Sequence, residues 1–256
     1  MKSFLAFFNK ELLETIRSKK ALILLILFVA FGIMNPAIAK LTPWLLEVLS
    51  EELADSGMNV TTVTVDAITS WVQFYKNIPM ALIAFILIYS GIFTKEYESG
   101  TLILVLTKGL KRYKVVISKL LIMVLMWTIG YFLCFGITYI YTAYFWDNSI
   151  AIGLIPATFN WYLFGLFVIS LMTLFSVLCK NTSNVLLLTS AVLAVIYLLS
   201  LLPKLTYYMP TSLMNSNLLL IGTENFDIYI KTVIIAILLS LGSNILSIIL
   251  FNKKEI

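Results

Sequence analysis

Six long apolar runs dominate this chain of 256 residues and leave little choice about what it can fold into. A helix needs about 20 apolar residues to cross the roughly 30 Å hydrocarbon core of a bilayer. Runs of that kind fall at about residues 21–39, 78–93, 115–144, 159–178, 185–202 and 230–251 and use most of the sequence. Composition agrees: 61% of residues are hydrophobic and 12% charged, about half the charge content of an ordinary soluble domain. The expectation is an all-α integral membrane protein with six transmembrane helices, forming a single domain over residues 1–256 with no large soluble part. The first 20 residues carry charges throughout, and no small-residue cleavage site follows them, so no removable signal peptide is read there.

Lysine and arginine set the orientation, because short cytoplasmic loops hold an excess of both. With the N-terminus inside, 14 of the 18 basic residues fall on the cytoplasmic side, and only Lys40, Lys76, Lys204 and Lys231 fall outside. The acidic residues lean the other way, with 8 of 13 outside. Both termini are therefore expected in the cytoplasm of a multi-pass cell-membrane protein, with extracellular segments at about 40–77 and 203–229. The net charge of +5 is a topology signal and gives no reason to invoke nucleic acid.

Between the spans, local patterns suggest smaller elements. Residues 2–18 follow a 3.6-residue period: Phe4, Leu5, Phe8, Leu12, Leu13 and Ile16 share one face, Lys10, Glu14, Arg17 and Ser18 the other, and Phe7 breaks the pattern. Such a helix lies in the membrane interface, with its basic residues among the lipid headgroups. Pro36 is expected to kink or end the first span. Thr42-Pro43 then reads as an N-cap followed by a proline in the first helical position. The helix it opens, to about Leu53, sets Leu45, Leu49 and Leu53 against Glu47, Glu51 and Glu52. Gly57 and Asn59 punctuate a loop-like stretch over 56–66. The third span ends in an aromatic belt of Tyr139, Tyr141, Tyr144, Phe145 and Trp146. Residues 203–229, with Pro203 and Pro210, read as short helices or a dipping element.

Charge is most concentrated between Lys95 and Lys119, where Lys95, Glu96, Glu98, Lys108, Lys111, Arg112, Lys114 and Lys119 surround a short apolar run from Leu102 to Leu106. That run is far too short to span a bilayer. A charged collar around a brief apolar helix describes a surface segment that touches a soluble partner, and the same charges also suit a solvated connector. Catalytic chemistry is missing. No glycine is followed by lysine, so there is no phosphate-binding P-loop, and H-E-x-x-H, C-x-x-C and G-x-S-x-G motifs are absent. There is no histidine, and the middles of the spans lack the ionisable side chains that ion-coupled carriers use. No catalytic residue and no metal site can be named.

Together these features resemble the permease subunits of ABC-2 type transporters. The loop carries the likeness. Glu96, Glu98, Gly100, Thr101, Leu102, Val105, Leu106 and Thr107, then Arg112 and Lys119, follow the family pattern E-x-E-x-G-T-L-x-x-L-L-T, a turn, a basic residue and a lysine-bearing helix. The family commonly has proline where this chain has Gly109; both residues break a helix, so the turn is expected to survive in a looser form.

The resemblance implies a cytoplasmic coupling helix between spans 2 and 3 that contacts a separate ATPase subunit. Glu96, Glu98, Gly100, Thr101, Leu102, Leu104, Leu106 and Arg112 would form that contact, with the charges orienting it. Lys180, Asn181 and Thr182, in the other cytoplasmic turn, are a secondary contact. It also implies no enzyme activity and no cofactor in this chain, ATP and Mg being bound by two copies of the ATPase. A second permease, either another copy or a related chain, completes the assembly. The function implied is ATP-driven export from a bacterial cell of a hydrophobic or amphipathic substrate, a peptide before a lipid or a drug. A second reading stays open: a non-transporting sensor or immunity protein that binds an extracellular cationic peptide through Glu47, Glu51, Glu52 and Asp55.

Overall fold

Apolar runs become helices because a helix satisfies every backbone donor and acceptor within its own segment, which lipid cannot do for it. The computed structural model describes residues 2–54, 65–107, 109–215 and 217–254, with backbone alone at residues 2, 49–54 and 217. Among the described residues the elements are α1 (Lys2–Arg17), α2 (Lys20–Ala54), α3 (Ala67–Tyr89), α4 (Thr94–Glu98), α5 (Thr101–Thr107), α6 (Arg112–Phe145), α7 (Leu154–Leu178), α8 (Thr182–Ser200), α9 (Asn217–Leu220) and α10 (Ile230–Lys253). Six of them, α2, α3, α6, α7, α8 and α10, are long and apolar enough to cross a membrane.

The predicted break after the first span is absent. α2 runs unbroken through Pro36 and Pro43, and Thr42 is no N-cap: its hydroxyl donates back to the Ile38 carbonyl at 2.8 Å. A proline inside a helix frees the carbonyl four residues earlier. For Pro36 that carbonyl belongs to Gly32, and it accepts a hydrogen bond from Thr138 Oγ1 on α6 at 3.1 Å. A neighbouring helix thus supplies the donor that proline lacks. The loop-like reading of 56–66 falls largely on residues 55–64, which lie outside the described residues, as do Asp55, Lys108 and the side chains of Glu51 and Glu52.

The helix start that the sequence allows near Asp66, ahead of the apolar run at 78–93, is present: Asp66 caps α3, accepting from the Thr69 amide at 2.9 Å. The segment over 203–229 does form short helices: 3₁₀ turns at Thr206–Tyr208, Pro210–Met214 and Phe226–Tyr229, and α9. Glu224 ties this segment together by accepting from Tyr207 at 2.9 Å and Tyr229 at 2.5 Å.

α7 is the most enclosed spanning helix, and it packs against α6, α8 and α10. α8 lies at the periphery and buries only Val185 and Thr189. The core between α2, α3, α6 and α7 is aromatic: Phe28, Phe85 and Tyr131 surround the Trp127 ring with centroids 5.4–5.8 Å away. Gly165 on α7 lets that ring approach, for a Cβ there would lie 2.3 Å from it. Polar ties cross the same helices. Asn77 donates to Asn35 at 2.8 Å, Asn35 to Thr138 at 3.0 Å, and the Ser70 and Thr142 hydroxyls pair at 2.7 Å. Small polar side chains of this kind fasten helices where burial of apolar surface gives no preference for protein over lipid.

Candidate functional site

The charged loop folds as two short helices between α3 and α6. Gly100, at φ +67°, turns the chain between α4 and α5, and Gly109, at φ +86°, turns it again before α6. Proline holds φ near −65°, so it could not replace Gly109 in this conformation. The turn expected there is present, as a left-handed one that depends on glycine.

Eight residues of this loop are expected on one contact surface, and the structure divides them. Glu98, Thr101 and Leu104 are exposed, Leu104 at 62%, and Ile103 stands beside them at 46%. Gly100 and Leu106 are half-buried. Glu96 and Leu102 point inward, with Leu102 fully buried in the core. Arg112 also turns inward, and its guanidinium donates to the carbonyl of Phe251 at 3.1 Å. In the second turn Lys180 and Asn181 are exposed, while the Thr182 hydroxyl pairs with Thr94 of α4 at 2.6 Å.

Glu96 belongs to a buried ion network. Lys119 on α6 is 1% exposed, and its ammonium lies 2.8 Å from Glu11 Oε2 and 2.9 Å from Glu96 Oε2. Lys10 sits on the outer side of the same carboxylates, 3.0 Å from Glu11 Oε1, 2.7 Å from Glu96 Oε1 and 3.1 Å from Glu14. Burial disfavours the Lys10 charge, but the Glu96 and Glu11 carboxylates outweigh it and hold its pKa above the ordinary lysine value. Three carboxylates converge here, those of Glu11, Glu14 and Glu96. The Lys10 and Lys119 ammonium groups stand among them and offset two of the three negative charges. Phe7 and Phe93 flank Lys119, with ring centroids 5.9 and 5.5 Å from its nitrogen.

This network changes the reading of α1. Its inward face is Phe7, Glu11 and Thr15, one residue every four, and Phe7, the residue that breaks the amphipathic pattern, is the anchor. Leu5, Leu13 and Ile16 remain exposed, and Phe8 and Leu12 are half-buried. Glu11 and Lys10 escape sequence reasoning because their partners lie 108 and 86 residues away. The signal present in the sequence is the i, i+4, i+8 stripe of Phe7, Glu11 and Thr15 with a carboxylate at its centre.

The network clamps three elements together: α1, α4 and the start of α6. The exposed edge of α4 and α5 is thereby mounted on a rigid base beside the ends of α3 and α6. No curated protein matches the chain. The family model described as ABC-2 family transporter protein matches residues 5–256. That match spans nearly the whole sequence, and the chain belongs to the ABC-2 family of transporter proteins.

Proposed function

We propose that this membrane subunit is the permease of an ATP-driven exporter and receives its ATPase on the exposed edge of α4 and α5. Family membership makes the chain a transport subunit that works with an ATPase subunit. The observation that carries the contact is the two-sidedness of the loop. Ile103, Leu104 and Glu98 project outward, while Glu96 and Leu102 fix the same short helices from beneath. An apolar anchor beside a charge that sets orientation is a usual form of protein interface. Glu96, Leu102 and Arg112 then position the surface, while Glu98, Thr101 and Leu104 touch the partner. Lys180 and Asn181 offer the secondary contact.

The remaining features extend the reading. The excess of basic residues supports a cytoplasmic position for both termini, α1 and the α4–α5 edge. The exposed Leu5, Leu13 and Ile16 of α1 lie against membrane lipid in the interface. A second permease pairs with this one, and two ATPases power the pair. The substrate is an amphipathic peptide, with lipid and hydrophobic drugs as the alternatives, moving outward between spans that carry few charges.

Replacing Glu98 or Leu104 with alanine should lower substrate transport and transport-stimulated ATP hydrolysis tenfold or more, the scale of losing one interface anchor. Membrane yield and melting temperature should stay at the parent value, since both side chains are exposed. Normal transport by both variants would show that this edge does not receive the ATPase.

A further inference from the structure

The end of α10 is fastened by two cations, one from α6 and one that follows its own last turn. The last carbonyls of any helix lack partners inside the helix. Here the Arg112 guanidinium donates to those of Phe251 at 3.1 Å, Asn252 at 3.4 Å and Lys254. Lys254 in turn reaches the end of α7, where its ammonium donates to the carbonyls of Val177 and Leu178. The same ammonium stands 4.3 Å from the centroid of the Tyr97 ring on α4, the shortest cation–ring distance among the described residues. Phe251 is fully buried and meets the Phe93 ring edge-on at 6.0 Å. Basic side chains commonly cap helix C-termini, and here Arg112 of α6 caps α10 while Lys254, at the end of α10, caps α7.

We infer that Arg112 and Lys254 form a clasp that makes the α4–α5 loop and the α7–α8 turn move as one body, with the end of α10 as the shared piece. The two loops are otherwise joined at this face by the Thr94–Thr182 hydrogen bond. The inference rests on the proposed ATPase contact for its purpose: a push on α5 is delivered to α7, α8 and α10 as well as to α6. Lys254 is a positioning residue in this scheme. Tyr97 contributes its ring face, and its hydroxyl is buried with no partner, so the ring alone should suffice.

The test places spin labels at Thr107 and Asn184, both exposed and outside the proposed ATPase contact, in a chain whose Cys134 and Cys179 are replaced by serine, and measures their separation in lipid nanodiscs. The parent, Lys254→Arg and Tyr97→Phe should give one narrow distance peak. Lys254→Ala and Tyr97→Ala should lose it, and more completely when Thr94→Val removes the second link. A merely stabilising lysine would lower the melting temperature of Lys254→Ala without changing the peak, and a narrow peak in the Thr94→Val, Lys254→Ala double variant would overturn the clasp. Repeating the measurement with the ATPase and ATP separates the two claims. Loss of the peak in the isolated chain supports the clasp whether or not the ATPase seats on α5. With ATP, parent peaks that shift while the alanine variants' do not complete the case for coupling.

Discussion

Lys119→Met is expected to destabilise the protein by about 3–5 kcal/mol, the largest effect of any single substitution argued from this fold. The side chain is 1% exposed and is the inner counter-ion of both Glu11 and Glu96. Without it two buried carboxylates face each other, and among the described residues Lys10, on the rim, is the cation left within ion-pair distance of them. A charge left unpaired in a low-dielectric site loses hydration without compensation, which costs far more than the intact pair contributed. The effect should be visible as a large fall in the detergent melting temperature and in folded yield. Combining Lys119→Met with Glu11→Gln and Glu96→Gln removes the stranded charges and should recover most of the loss. A single variant as stable as the parent would mean that the network does not hold α1 and α4 to α6.

Gly165→Ala should be the next most damaging change, by about 1–3 kcal/mol. The added Cβ would stand 2.3 Å from Cε2 and Cζ2 of Trp127, inside any tolerated contact distance. Trp127 has nowhere to go. It is fully buried, ringed by Phe28, Phe85 and Tyr131, and its indole N–H donates to the Tyr162 carbonyl at 3.3 Å. Shrinking the ring with Trp127→Phe in the Gly165→Ala background should restore part of the melting temperature. Gly136→Ala is the natural control. Nothing lies within 4 Å of a Cβ there, and alanine favours a helix over glycine by up to about 1 kcal/mol, so stability should hold or rise.

The spans were legible because burial in lipid imposes a length and an apolar composition that survive in any single sequence. The ends of α6, α7 and α10 lie within a few residues of their apolar runs for that reason. Pro36 misled because its consequence depends on a donor 102 positions away, Thr138, which no local pattern reveals. Phe7 misled similarly: an amphipathic plot assumes one partner, whereas α1 presents Phe7 and Glu11 to the protein and Leu5, Leu13 and Ile16 elsewhere. The loop motif picked out the stretch that folds as α4 and α5. It did not distinguish Glu98 and Leu104, which face out, from Glu96 and Leu102, which face in, since short helices interrupted by a left-handed glycine follow no long period.

Site-specific photo-crosslinking tests the ATPase contact most directly. A benzophenone amino acid at position 104 should be irradiated in native membranes, with position 198, an exposed leucine on α8, as the control. The account predicts an adduct from position 104 alone, whose partner is identified by mass spectrometry as a subunit with a P-loop ATPase motif. An ATPase that co-purifies with the chain yet gives no adduct from position 104, or gives it equally from position 198, would contradict docking on the α4–α5 edge.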